Sequence, residues 1–374
     1  MARHMPKFFF LTLLLIGSLA CRTRKPEAPP PPQPVRVTLV AVGDLLMHQD
    51  VKRAARENAG GFQSLWGDLK PLFQEADLVF GNLETPIAPT TGLSGRPFVF
   101  NAPAELPEAL KASGFTVLST ANNHAYDQGS KGALETLERL EAAGLVGIGS
   151  GRDKAQADRP CILERKGIKV AFLAFTDLFN INLNQEGKGP WVRPLNDSAL
   201  DAVKAARSQA DLVVVSVHWG IEYEHNPRPR QRDMATRLIG AGADLIIGHH
   251  PHVLQPLEWL EVDGRKGAVA FSLGNFISNQ DRKYEERMAV AEGDNRDGAA
   301  LVAVFRKNPQ GPVRLESVRA EPLWTENNWT AFASGQAIRR EIRVVRASPT
   351  GGLLDKRRAR IEETLSPIRH GIGP

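Results

Sequence analysis

Residues 37–48 read VTLVAVGDLLMH, a run of six residues rich in β-branched side chains that ends at Gly43-Asp44 and is followed shortly by His48. A short apolar run closed by glycine, with an acid at its carboxyl end, predicts a buried strand that hands a polar side chain to a loop. The layout recurs: residues 77–80, 115–120, 212–217 and 244–247 are further strand-like runs, and each opens into a polar cluster. Between them, residues 131–143 and 230–241 have helical spacing, and Gly144 and Gly242 follow where a helix end favours glycine. Alternation of these two patterns predicts a layered α/β domain. Residues 262–271, with Asp263-Gly264, and 299–319, around 309–311, read as antiparallel hairpins, so a mixed sheet or two packed sheets are expected.

The polar clusters after the strands are Gly43-Asp44 with His48, Gly81-Asn82-Leu83-Glu84, Ala121-Asn122-Asn123-His124, Val217-His218-Trp219-Gly220 and Gly248-His249-His250-Pro251-His252. In α/β folds the loops at the carboxyl ends of strands converge, so the clusters are expected to share one cavity. A lone aspartate after a strand caps a helix as readily as it binds an ion, and a lone histidine more often packs in a core. Repetition in register with the strands is what points to a common site. Asp, Glu, Asn and His without a thiolate form an oxygen and imidazole donor set suited to Mn²⁺, Fe²⁺ or Zn²⁺, as one ion or two.

In order along the chain, the segments GDLLMH, GNLETP, ANNHAYDQG, HWGIEY, GHHPHVLQP and SLGNF resemble those of the bacterial capsule-synthesis CapA (poly-γ-glutamate) family, within the metallophosphoesterase-like superfamily. The resemblance runs from about residue 37 to 279 and implies an α/β fold, specifically a four-layer α/β/β/α metallophosphoesterase-like sandwich with mixed sheets. It further implies Asp44, Glu84, Asn123, His218, His250 and His252 as metal ligands, with His48, Asn82 and His249 beside them. His124 takes the place of the histidine that protonates a leaving group, the alternative being that it orients Asn123. Two departures stand out. Phosphoesterases open with Asp-x-His, whereas four positions separate Asp44 from His48, and their metal-bridging Asp is replaced by Asn82, with Glu84 two residues on. Without a bridging carboxylate, two-metal hydrolysis does not follow from the fold alone.

Arg3, His4 and Lys7 precede an apolar run over residues 8–16, and small residues then lead to Cys21, the layout of an export signal over residues 1–20. Cys21 resembles a lipobox cysteine, although Ser18 stands where that pattern prefers an aliphatic residue; plain secretion and an uncleaved anchor are the alternatives. The proline-rich stretch 26–34 reads as an extended spacer, making residues 21–35 an anchor and linker, 36–330 the body and 331–374 a basic tail. Cys161 then has no disulfide partner and reads as a small core residue.

The formal charge of +5 is unevenly placed. Residues 1–36 carry six Lys or Arg against one Glu, and residues 331–374 nine against four acids, so each end holds +5 and the body about −5. No nucleic-acid partner is therefore expected despite the basic pI. The tail run Lys356, Arg357, Arg358 and Arg360 reads as a solvated helix face, with contact to anionic lipid or polymer as the alternative. Trp219 and Trp191 read as packing residues or groove walls, and Arg193 and Arg96 as candidate contacts to an anionic cell-envelope polymer. The charged segment 279–297 is either a loop over the cavity or a solvated insertion.

Two functions compete: a metal-dependent hydrolase or transferase acting on an envelope polymer, and a non-catalytic accessory subunit that binds the polymer beside a synthase. Both place an exported lipoprotein at the bacterial membrane. A nucleotidase-like scavenger ranks below them, because three tyrosines and no paired aromatic motif offer little to clamp a base.

Overall fold

The computed structural model describes Met1 and residues 33–92, 98–348 and 351–366. The export segment, Cys21, most of the proline spacer and Arg96 lie outside them.

Val35–Leu45 is the central strand of an eight-stranded mixed sheet. On one side Leu78–Leu83, Val117–Ser119 and Val146–Ile148 follow in parallel. On the other, Asp297–Lys307, Val313–Asn327 and Ile342–Arg346 run antiparallel, and Asn275–Ile277 pairs with the end of the central strand, setting Asn275 opposite Asp44. The second sheet has six strands in the order Leu254–Val262, Arg265–Leu273, Leu245–His249, Leu212–His218, Ile168–Thr176 and Cys161–Arg165. Its hairpin turns at Asp263-Gly264, both with positive φ, the conformation a two-residue hairpin loop requires.

The two faces of the central strand explain its unbroken apolar reading. Val37, Leu39 and Ala41 enter a core shared with Phe172, Val214 and Ile247 of the second sheet. Val40 and Val42 enter another, under Trp66, Phe73 and Leu110 of the outer helical segments Gly61–Leu69, Lys70–Gln74 and Leu106–Ala112. A third core lies between the second sheet and the helices Ser198–Arg207 and Pro229–Ala241. Three cores between four layers give the α/β/β/α order. Because strands covered on both faces alternate between two apolar environments, their sequence shows no polar face. Each large apolar side chain so buried contributes roughly 1.5–3 kcal/mol.

The C-terminal run read as a solvated helix face does lie on a helix, with Lys356, Arg358 and Arg360 partly open to solvent, but Arg357 departs from that reading. Ile342–Arg346 extends the first sheet, and the helix Leu353–Leu365 packs through Ile361 and Leu365 into the central core. Arg357 is fully buried. It donates to Asp297 and Asp294 at 2.8 Å, and its guanidinium lies 4.8 Å from the centre of the Trp324 ring. The matching acids lie about sixty residues away in sequence, which is why an arginine run reads as a solvent face. Among the described residues no helix is long and apolar enough to cross a membrane.

Candidate metal centre

The parallel strands of both sheets end on the same edge of the sandwich, and the polar clusters meet there. Asp44 comes from the end of the central strand, Asn82 and Glu84 from the end of its neighbour, and Asn123 and His124 from the turn after Val117–Ser119. His218 closes one strand of the second sheet and His249 the next, paired in register. Close crossing explains the glycines in these motifs: a Cβ on Gly43 would fall 2.0 Å from the Gly274 carbonyl oxygen, and one on Gly248 1.9 Å from that of Phe271. His250 and His252 have φ of 100° and 58°, in the left-handed region that side chains other than glycine rarely enter. Such conformations cost on the order of 1–3 kcal/mol each and persist where surrounding structure imposes them.

Five of the expected ligands form two overlapping buried groups, Asp44, Glu84 and His218 in one and Glu84, His250 and His252 in the other, with donor atoms within 4.8 Å of one another. Glu84 Oε1 lies 3.6 Å from His218 Nε2 and 3.8 Å from His252 Nε2. Asn123 joins through its Oδ1, 3.0 Å from His218 Nε2. The carboxylate of Asp44 lies 3.2 Å from Nδ1 of both His249 and His252 and accepts the His250 backbone N–H at 3.3 Å.

Asn82 occupies the gap between the expected ligands. Its Nδ2 donates to Asp44 Oδ1 at 2.8 Å and lies 3.4 Å from Glu84 Oε2 and His218 Nδ1, while its Oδ1 accepts from Asn122 at 3.4 Å. His249 is completely buried against Asp44 and Phe80. His48 stands apart from the ligand cluster. It packs against Phe100 at 5.0 Å, and its Nδ1 accepts from the Asn279 backbone N–H.

Electrostatics separates the two carboxylates. Burial pushes the Glu84 carboxyl well above its ordinary range, and the neighbouring charges of Asp44 and Glu222 push it further. Burial acts on Asp44 in the same sense, but the hydrogen bonds and charges of His249 and His252 outweigh it and hold Asp44 well below the usual carboxylate range. Burial, with His250 beside it, holds His218 far down, and burial with His252 brings His250 to about 4. These imidazoles are thus neutral at pH 7, the form that ligates a metal.

The donor set fits a divalent cation. Glu84 Oε1 and His250 Nδ1 are buried without a hydrogen-bond partner, an arrangement that costs about 1–3 kcal/mol per group unless something else satisfies it. No thiolate is present, and carboxylate, amide oxygen and imidazole together suit Mn²⁺, Fe²⁺ or Zn²⁺.

Several residues that complete the site were not singled out from sequence. Asp127 accepts from His124 Nδ1 at 2.8 Å, and Phe100 packs edge-on to His124 at 4.6 Å. Asn180 has its amide nitrogen 3.4 Å from both His124 ring nitrogens and accepts from Asn123 at 3.4 Å. Asn275 and Asn295 donate to the His252 carbonyl at 3.3 and 3.4 Å. A signal existed for Asp127, three residues after His124 in one turn; none existed for Asn180, on a distant loop.

Other candidates fall away from the centre. Trp219 is buried, its indole donating to the Phe271 carbonyl. Trp191 is half-buried under Lys154. Arg193 is buried over Phe175 and paired with Asp158 at 3.2 Å, so it is no surface contact for a polymer; burial lowers its guanidinium to about 10. Burial raises the Cys161 thiol to about 11, which leaves it protonated and a poor nucleophile.

The fold and this cluster define a class: a two-sheet α/β sandwich with a buried carboxylate and histidine site of divalent-metal type. Residues 38–280 match the family described as "Bacterial capsule synthesis protein PGA_cap", and the chain belongs to that family. Capsule biosynthesis protein CapA of Bacillus anthracis is 33% identical over 285 residues, covering 74% of this chain and 68% of the relative. PGA biosynthesis protein CapA of Bacillus subtilis (strain 168) is 34% identical over 296 residues, covering 76% of each. Among solved structures, the NAD nucleotidase of Haemophilus influenzae aligns over 88% of this chain and 60% of its own, with a TM-score of 0.47 and 12% identity.

Proposed function

We propose that the protein acts in capsule or poly-γ-glutamate synthesis at the cell envelope, through a divalent-metal site with hydrolase or transferase chemistry. The observation that carries this reading is the convergence of Asp44, Glu84, His218, His250 and His252 in one buried cluster with unsatisfied donor atoms. Those five side chains and the Asn123 amide oxygen would hold the ion, which when bound supplies Lewis acidity and lowers the pKa of a water. Asn82 donates to Asp44 and fixes its orientation. Asp127 accepts a hydrogen bond from His124 Nδ1–H, so Nε2 is the nitrogen left to exchange a proton with a leaving group. Export through residues 1–20, lipidation of Cys21 and work beside a polymer synthase belong to the same reading. Loss of labelled palmitate from a Cys21→Ser protein expressed in a bacterial host tests the anchor.

One observation favours the second reading, an accessory polymer-binding subunit without turnover. Position 82 holds a neutral amide where two-ion phosphoesterases place a bridging aspartate, so that residue supplies no charged bridge between two ions. The deciding experiment is elemental analysis of the full-length protein, of Asp44→Ala and of His250→Ala, with Mn²⁺-dependent hydrolysis of a generic phosphodiester and of poly-γ-glutamate measured alongside. Stoichiometric metal lost in both variants, with turnover of either substrate, is the expected result. Metal without turnover supports the accessory subunit, and a folded protein without metal overturns the site.

A further inference from the structure

After Asn275–Ile277 the chain leaves the sheet as a strap that returns to it at Asp297. The strap and His48 enclose an open cleft of about 350 Å³, lined by His48, Asn279, Asp281, Arg282 and Lys283. That volume lies within the range of small-ligand sites, roughly 300–1,000 Å³.

Two features mark the cleft as more than a surface dip. Arg282 and Lys283 are exposed, and among the described residues neither has a carboxylate within ion-pair distance. Both heads are nevertheless positioned, the guanidinium 5.0 Å and the ammonium 5.7 Å from the centre of the one Trp329 ring. Setting two cations over one ring concentrates positive charge, in a body whose net charge is negative, and a bound anion would relieve their repulsion. The guanidinium of Arg340 lies nearby but is fully buried, paired with Asp50 at 3.3 Å and hydrogen-bonded to Asn279, Asn327 and Asn328, so it is not free to meet a ligand. Burial lowers Arg340 chiefly, and the charge of Arg282 contributes in the same direction.

The second feature is continuity. The Phe100 ring packs edge-on against both His48, at 5.0 Å, and His124, at 4.6 Å. Because His48 lines the cleft, this run of ring contacts leads from the cleft to His124 at the metal centre. An extended chain lying in the cleft can place one acidic group between Arg282 and Lys283 and run on past His48 toward the metal centre.

We propose that this cleft is a subsite for a carboxylate-bearing polymer, with Arg282 and Lys283 as the residues that hold its acidic groups beside the metal centre. The inference rests on the polymer role proposed above and names where the polymer lies.

The test uses the full-length protein in detergent and fluorescein-labelled poly-γ-glutamate as probe, followed by anisotropy at low salt, with metal content measured on every sample. Arg282→Glu combined with Lys283→Glu is expected to weaken binding about tenfold or more, with metal content unchanged. A control with the same charge change at the exposed helical positions Lys131→Glu and Lys204→Glu is expected to stay within about twofold. Unchanged affinity in the metal-loaded cleft variant, or equal weakening in the control, overturns the subsite. If the charge reversal also displaces metal, Arg282→Gln with Lys283→Gln decides by the same affinity criterion. Failure of the metal reading would show separately, as a wild-type protein without metal whose polymer affinity still responds to Arg282 and Lys283.

Discussion

His124 donates from Nδ1 to Oδ2 of Asp127 across 2.8 Å, and both side chains are buried. The pairing selects one imidazole tautomer and leaves Nε2 unprotonated in the neutral ring. Asp127→Asn replaces the carboxylate by an amide that no longer enforces that choice. Turnover of whichever substrate the wild type accepts is expected to fall about 10²-fold with metal content retained. Nitrogen NMR of His124 is expected to show a single tautomer in the wild type and a mixture in the variant. Metal loss in the variant would instead place Asp127 among the supports of the ligand set.

Ion binding should also register as stability. A ligand that binds only the folded state at about a thousand times its Kd adds roughly 4 kcal/mol. Denaturant unfolding with excess Mn²⁺ and again with chelator is expected to differ by that order for the wild type. Glu84→Gln replaces the carboxylate common to both ligand groups and should abolish most of the difference.

Arg357 ties the last helix to the body through Asp294 and Asp297, and all three side chains are buried, so solvent screens a missing partner little. Arg357→Leu leaves the buried Asp297 without its cation, while Asp294 keeps Arg360 and His225, and is expected to cost about 3–5 kcal/mol in urea unfolding. Asn295, between those acids, donates to the His252 carbonyl, so weaker metal retention should accompany the loss. Retention at the wild-type level would show that helix and site are uncoupled.

Glu135 offers a pH signature away from the metal centre. Its carboxylate accepts from the backbone N–H groups of Thr90 and Thr91, the Thr91 hydroxyl and Arg139. Burial raises its pKa, but the bonds from Thr91 and Arg139 outweigh that and bring it to about 2. A folded pKa below the unfolded value means the stabilisation is complete above about pH 4.5 and is lost as pH falls toward 2. Glu135→Gln should therefore cost about 1–2 kcal/mol at neutral pH, after allowance for screening by solvent, and progressively less in acid. A cost that stays constant from pH 7 to pH 3 would rule out the ionised carboxylate as its origin.

Much of the architecture was legible because strand and helix periods are local. The run at residues 37–42, the helix near 230–241 and the turn at Asp263-Gly264 each carry their own signal within a few residues. The strands Ile168–Thr176 and Ile342–Arg346 were not placed as strands. The latter is interrupted by Arg343, which pairs with Glu326 on the adjacent strand. Its fitness as a strand depends on a neighbour the local sequence does not show.

The sequence by itself determined which side chains were available for chemistry and that they sit at strand ends, since glycine before Asp44 and before His249 marks where a backbone must pass closely. Only the tertiary structure decided their division of labour. Asn82 became a donor to Asp44, His48 moved to the wall of a cleft, Arg193 went inward over Phe175, and Arg357 went inward to buried acids. The physical reason is one of range: periodicity and turn chemistry act over a few residues, whereas hydrogen-bond partners, desolvation and charge matching are set by segments that meet only when the two sheets pack.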